Sequence, residues 1–182
     1  VGVILDIDRA KKSEQQLTTR ASFDALTELY NRETIESQID NEITLSEARK
    51  SEMAVLFIDV DDFKHYNDQY SHATGDQVLK FVARTIKGTV NEFGFAGRYG
   101  GDEFIACIRN AEINDPTRAA QDIISKLEEG FECDGVHLTV SVSIGISMIK
   151  DDYNTRVEYI IGKADDAMYS VKKNGKSNYA FI

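Results

Sequence analysis

Arg98-Tyr99-Gly100-Gly101-Asp102-Glu103-Phe104 sets two glycines and two carboxylates between apolar runs. Phe93, Phe95 and Ala96 before it read as one strand, and residues 104–108 (Phe-Ile-Ala-Cys-Ile) read as the next. Two strand-like runs joined by a short segment that opens on Gly-Gly predict a β-hairpin. Glycine at such a turn accepts φ > 0 and lets a bulky anion reach the backbone without meeting a Cβ. Asp102 and Glu103 then stand side by side at the turn, where adjacent anions repel unless a cation sits between or beside them. Taken alone, an acidic hairpin tip is as well explained as a solvated loop. The rest of the chain weighs against that explanation.

Upstream, Met53-Ala54-Val55-Leu56-Phe57-Ile58 is a continuous apolar run of the kind found in a central strand buried on both faces. It stops abruptly at Asp59-Val60-Asp61-Asp62. Before it, residues 32–49 carry Ile35, Ile39, Ile43 and Leu45 as an approximate apolar stripe and predict a helix. After it, Val78, Leu79, Phe81, Val82 and Ile86 repeat at helical spacing, with Asp76 after Gly75 as the expected N-cap. Asn67 and Asp68 fall on the connection between strand and helix. Downstream of the hairpin, residues 116–130 predict a helix through Ile123, Ile124 and Leu127, and residues 136–149 alternate as one strand. Residues 157–173 predict a final amphipathic helix with Ile160, Ile161, Ala164, Met168 and Val171 on one side. Asn174-Gly175 is its expected left-handed cap, and residues 179–182 form a closing strand. The order predicts an α/β fold, an α+β sandwich with one central sheet covered by helices.

The chain has 182 residues, 42% hydrophobic and 29% charged, which suits one domain with a full core plus a short appendage. A net charge of −10 disfavours nucleic acid or an anionic membrane as partner. An anionic substrate would therefore need local lysines, arginines or metal ions. No run approaches the roughly 18 apolar residues of a membrane-spanning helix, and no signal-peptide pattern opens the chain. Cys107 and Cys133 lack metal-type spacing and fit a reducing, cytoplasmic setting.

Asp59 ends the apolar strand, where open sheets often place ligand-binding groups. Asp61 would share its side if the strand continued, and Asp62 would face away. If the hairpin lies beside this strand, Asp102 or Glu103 could converge on Asp59. Carboxylates from two neighbouring strand ends make the hard oxygen site that Mg²⁺ favours, with phosphate oxygens and water completing the shell. Two such ions are suited to in-line attack at phosphorus. Lys64 follows the acidic cluster, and Lys172, Lys173 and Lys176 crowd the end of the last helix, where they would also complement its dipole.

Four motifs now carry a family likeness. Arg98 to Phe104, the segment Asp24-Ala25-Leu26-Thr27-Glu28-Leu29-Tyr30-Asn31-Arg32, the run from Phe57 to Lys64 with Asn67-Asp68 and Gly75-Asp76, and the stretch from Ala164 through Lys176 together resemble the GGDEF family of diguanylate cyclases. The likeness covers about residues 22–182. It implies a nucleotidyl-cyclase-like palm with a central mixed sheet and the Gly-Gly-Asp-Glu-Phe turn on a β-hairpin. It also implies condensation of two GTP into cyclic di-GMP and two pyrophosphates by a homodimer. Carried over by position, Asp59, Asp102 and Glu103 by side chain and Val60 by its carbonyl would hold Mg²⁺, two ions per active site with Mn²⁺ as substitute. Asp102, Glu103 and Lys64 would be the catalytic set. Phe63, Asn67, Asp76, Gly100, Gly101, Lys172 and Lys176 would bind substrate, with Asn67 and Asp76 reading guanine. Asp59 and Asp102 would sit at exposed strand ends. The competing reading is a non-catalytic GTP- or cyclic-di-GMP-binding regulatory module.

Three departures from the family pattern stand out. Ser71 and Glu28 replace frequent glycines, and Asn91-Glu92-Phe93-Gly94 replaces the Arg-x-x-Asp product-inhibition motif. Residues 1–7 resemble the last strand of a PAS-type sensor domain, and residues 8–20 a connector helix. The expected organisation is thus residues 1–20 as the end of an upstream sensor and its connector, and residues 21–182 as the cyclase domain. The fragment itself is expected to be cytoplasmic, with any membrane tether lying in an upstream part.

Overall fold

The computed structural model describes residues 22–112, 114–150 and 154–182. The expected sensor strand and connector helix of residues 1–20 lie outside the described residues. Five strands form a mixed sheet in the order β2-β3-β1-β6-β7. They are β1 (Met53–Val60), β2 (Gly94–Arg98), β3 (Glu103–Arg109), β6 (Val142–Ile149) and β7 (Asn178–Phe181). β1 is the centre, antiparallel to β3 on one side and β6 on the other, while β7 joins β6 in parallel. Every residue of β1 is buried, as a strand covered on both faces requires.

One face packs on helices α1 (Arg32–Arg49) and α5 (Val157–Lys173) through Ile35, Ile39, Val55, Phe57, Ala164 and Met168. The other packs on α3 (His72–Val90) and α4 (Pro116–Glu129) through Leu56, Ile58, Val78, Val82, Ile123 and Leu127. The alternation along β1 thus splits the core in two. Odd-numbered residues, Asp59 among them, face the α1/α5 layer. The close approach of α5 depends on Gly145, where a Cβ would run into the Ala164 carbonyl. α5 is thereby held close over the sheet, with Lys172 one residue from its end.

Several expectations change. Leu45 is exposed, and the buried face of α1 is completed instead by Glu42 and Ser46. Glu42 is tolerated there because Arg109 and Arg49 both pair with its carboxylate. The helix after β1 starts earlier than expected: Ser71 is the N-cap of α3, its hydroxyl accepting from Thr74 N–H, and Asp76 lies inside the helix. Asn67 and Asp68 belong to a short helix, α2 (Phe63–Gln69), not to a bare connection. The stretch 136–149 is two strands. β5 (Val136–Leu138) pairs back onto β4 (Phe131–Cys133) through a hairpin whose Asp134-Gly135 tip has φ of 50° and 79°, and β6 follows. Such an Asp-Gly pair suits a tight turn because both residues tolerate the left-handed region. The end of α5 keeps the expected glycine cap: Asn174 is the C-cap with φ −101°, Gly175 follows with φ 115°, and the Lys176 N–H returns to the Val171 carbonyl at 3.1 Å, while Lys176 and Ser177 add two further positive φ values.

Candidate active site

β2 and β3 form the expected hairpin, and β3 pairs with β1 so that Asp59 stands directly across from Glu103. Side chains paired across two strands share a face, so both carboxylates point toward the α1/α5 layer. The Val60 N–H donates to the Asp102 carbonyl (3.1 Å), which binds the turn to the end of β1. Gly100 and Gly101 do not adopt positive φ. What their missing side chains give is space: a Cβ at Gly101 would meet nothing within 4 Å, and one at Gly100 would strike the Glu103 carboxylate. The turn is an open ledge beside an acid.

Arg98 and two residues from the start of the described chain hold this ledge. The Arg98 guanidinium donates to the Gly101 carbonyl at 3.1 Å from Nε and 2.7 Å from Nη2, and its Nη1 reaches Asp24 at 3.2 Å. Arg32 stacks its guanidinium 4.3 Å from the Tyr99 ring centre and donates to the Tyr99 hydroxyl at 3.0 Å. Asp24 and Arg32 come from the segment leading into α1, so the residues flanking Gly-Gly are positioned from outside the hairpin.

Asp59 is buried rather than exposed, at 5% of its free surface. Burial pushes its carboxyl up, Lys172 pulls it down, and the charges of Asp102 and Glu103 push it up again, to about 6. Lys172 Nζ lies 2.6 Å from Asp59 Oδ1. That oxygen nevertheless has no well-aligned donor among the described residues, so the contact is a charge pairing more than a directed hydrogen bond. Glu103 is raised by partial burial and by the charges of Asp102 and Asp165, against Lys172 and Arg32. Asp165 is a neighbour that the sequence reading did not single out. Its separation of seven residues from Lys172, about two helical turns, was the available signal.

Asp61 shares the side of Asp59 but has another role. Its carboxylate accepts from Ser141 Oγ, from Ser143 Oγ at 2.7 Å and from Ser177 N–H at 3.2 Å. Asp62 turns away and pairs with Lys176 Nζ at 2.7 Å; that hydrogen bond holds its carboxyl below the ordinary value. Asp62, Lys176 and Ser177 are non-glycine residues with φ of 52°, 62° and 44°. Such strained positions cluster where a fold must aim side chains, at roughly 1 kcal/mol or more each.

Lys64 is exposed in the first turn of α2, and with Asp62, His65 and Asp68 it lines an open depression of about 510 Å³. Asn67 lies against the start of α3, since a Cβ at Gly75 would collide with its Oδ1 and approach Phe63. Asp76 is the next residue along α3 and is exposed.

Asp59 and Glu103 fit a hard divalent cation in one respect: they present carboxylate oxygens from adjacent strands, one of them buried and poorly partnered. No group of three or more acidic, histidine or cysteine side chains is gathered closely enough to enclose a metal among the described residues. An open site with two or three protein oxygens is nonetheless the habit of Mg²⁺, whose shell is completed by phosphate and water.

The sequence profile described as "Diguanylate cyclase, GGDEF domain" matches residues 21–178. MucR of Pseudomonas aeruginosa, a bifunctional diguanylate cyclase/cyclic di-GMP phosphodiesterase, is 34% identical over 171 residues, 94% of this chain and 25% of that protein. The diguanylate cyclase DosC of Escherichia coli is 35% identical over 158 residues, 85% of this chain and 34% of that protein. The chain thus spans only a quarter to a third of these relatives' length. The solved GGDEF domain of PA1120 (TpbB or YfiN) from Pseudomonas aeruginosa superposes with a TM-score of 0.81 at 33% identity, covering 87% of this chain and 93% of that one.

Proposed function

The chain belongs to the GGDEF domain family, and we propose that it is a working diguanylate cyclase that joins two GTP molecules into cyclic di-GMP with release of two pyrophosphates. The observation that carries this reading is the cross-strand pair of Asp59 and Glu103 with Lys172 set against it. A buried carboxylate pushed up to about 6 between two like charges is costly to keep. That cost is understandable where a cation and an anionic substrate are to be handled.

Mg²⁺, held by Asp59, Glu103 and Asp102 with the Val60 carbonyl, would lower the pKa of the attacking 3′-hydroxyl and neutralise charge on the α-phosphate. The chain's own residues supply the rest. The Gly100-Gly101 ledge lets phosphate oxygens approach the backbone. Lys64, on the rim of the depression, stabilises charge on the transferring phosphoryl group. Lys172 and Lys176 hold the terminal phosphates. Asn67 and Asp76, neighbours at the junction of α2 and α3, read guanine, with the Asp76 carboxylate accepting from the N1–H and N2–H₂ edge that adenine lacks. Phe63 packs beside them.

One domain holds one GTP, and the reaction needs two facing each other, so activity requires a two-fold dimer with the site at its interface. Incubating the protein with GTP and Mg²⁺ and identifying the product by mass tests the reading. Specific activity should rise with protein concentration through the range of dimerisation. Tight GTP binding with no product would instead favour the regulatory-module reading. In longer proteins of this family the domain would answer to an upstream sensor.

Product control should be weak. Asn91 and Glu92 are exposed and offer no cationic fork, and an acidic side chain at Gly94 would begin with a Cβ driven into the Cys107 carbonyl. Cyclic di-GMP titrated into the GTP-saturated enzyme should not inhibit non-competitively, and sub-micromolar inhibition of that kind would contradict this.

A further inference from the structure

Lys172 does more at this site than wait for a phosphate. Its ammonium stands 2.6 Å from the Asp59 oxygen that no other described donor reaches in good alignment. The Asp59 side chain is 8% exposed and that of Lys172 is 31% exposed. The acid is therefore fixed in the sheet, while the lysine, on a flexible four-carbon stem at the end of α5, has somewhere to go. Lys176, beyond the helix end, is engaged on Asp62 through hydrogen bonds to both carboxylate oxygens. Both lysines assigned to phosphates are thus seated on acids of the β1 end.

We propose that Lys172 is a tethered cation that competes with divalent metal for Asp59, so that metal and nucleotide bind cooperatively. A metal ion approaching alone must displace the ammonium from its 2.6 Å pairing with Asp59 and set a second cation beside it. A metal ion arriving with a triphosphate gives the displaced ammonium a phosphate in exchange. The nucleotide therefore removes a competitor, and by linkage each ligand tightens the other equally. The inference rests on reading this site as the one for metal and GTP, but its central observable needs neither turnover nor nucleotide.

The test is Mn²⁺ binding followed by electron paramagnetic resonance or calorimetry, in wild type, Lys172→Met, Asp59→Asn and the double variant, with circular dichroism to check folding. Without nucleotide, Lys172→Met should bind Mn²⁺ roughly 5-fold or more tightly than wild type, the lower end of ordinary site-to-site coupling. Adding Asp59→Asn should abolish the gain. A non-hydrolysable GTP analogue should tighten Mn²⁺ binding strongly in wild type and much less in Lys172→Met. Lys172→Gln serves the same purpose should the methionine variant not fold. Unchanged or weaker Mn²⁺ binding in the lysine variants overturns the proposal. A tightened Mn²⁺ site in a protein that makes no cyclic di-GMP would leave the competition standing and remove the cyclase reading instead.

Discussion

Asp59 and Asp61 stand two residues apart at the end of the same strand and are almost equally buried, at 5% and 4%. Their surroundings are opposite. Asp61 is surrounded by donors, two serine hydroxyls of the neighbouring chain segment and the Ser177 N–H, and ties the end of β1 to the starts of β6 and β7. Asp59 has one lysine and two like-charged neighbours. Burial alone therefore does not separate a structural carboxylate from a functional one. What separates them is whether the fold has supplied the partners that a buried charge needs. Asp61 finds its donors within the fold, whereas Asp59 Oδ1 has only the Lys172 ammonium against it among the described residues.

The largest expected effect follows from that contrast. Asp59→Ala, Glu103→Ala and Asp102→Ala should each lower the rate of cyclic di-GMP formation by at least ~10²–10³, the usual loss for one well-placed charge stabiliser. With no metal added, Asp59→Ala should leave the thermal midpoint unchanged or higher, since it removes a poorly satisfied buried charge. Asp61→Ala should do the reverse. Bonds to a charged group contribute about 1.5–3 kcal/mol each, three are lost, and Ser143 would be left buried without its acceptor, so a loss of roughly 4 kcal/mol or more is expected. Urea unfolding of the two variants side by side measures it. A destabilised Asp59→Ala with an unperturbed Asp61→Ala would break the comparison.

Much of this arrangement was legible in the sequence because it rests on strong periodic signals. The apolar run ending at Asp59 gave the central strand, and the bounds 32–49 and 157–173 of two helices agree with the structure. The hairpin followed from Gly-Gly between two strand-like runs, and the convergence of Asp59 with one of the turn's acids was conditional on the hairpin lying beside β1, a condition that the pairing of β3 with β1 meets. Which acid lies opposite could not be read, because pairing register is a tertiary property. The partners of Asp61 were hidden for a related reason: its donors come from residues 141, 143 and 177, far away in the chain. The short α2 and the β4–β5 hairpin were missed because elements of three to seven residues carry little periodicity, although Asp134-Gly135 was a readable turn. Gly100 and Gly101 taught something further. Their role is the room they leave, which sequence alone did not distinguish from a need for positive φ.

Asp24 extends the comparison to a third carboxylate, one that is well satisfied but nearer the surface. Partial burial pushes it up, yet the Thr27 hydroxyl and N–H and the Arg98 charge outweigh this and leave it below its ordinary 3.8. A carboxylate lowered on folding contributes stability above its unfolded value, and that contribution fades as pH falls through the lower folded value. Stability should therefore decline below about pH 4, by less than about 1 kcal/mol because solvent screens the pair. Asp24→Asn should flatten this part of the profile. Because Arg98 would lose one of its anchors on the turn, the same variant should also lower turnover at neutral pH. An acid limb unchanged in Asp24→Asn would assign the effect elsewhere.

The smallest expected effect separates local strain from function. Glu28 is exposed and has φ 59°, in a tight turn where its N–H donates to the Asp24 carbonyl at 2.9 Å. The left-handed region costs a residue with a Cβ roughly 1–2 kcal/mol, and glycine avoids that cost. Glycine also has more freedom to lose on folding, about 0.5–1 kcal/mol, which offsets part of the gain. Glu28→Gly should thus stabilise the protein by about 0.5 kcal/mol, a rise of ~1–2 °C in thermal midpoint for a chain of this size. Its turnover should not change, because Glu28 touches none of the residues around Asp59. Ser71, the other position where glycine is frequent, is the counterpart. Its φ of −177° is extended backbone open to any residue, and its hydroxyl caps α3, so Ser71→Gly should gain nothing. Scanning calorimetry of the two variants, with product formation measured on the same samples, decides the matter. A drop in turnover for Glu28→Gly would mean that strain at this turn, like the poorly partnered charge of Asp59, belongs to the working site.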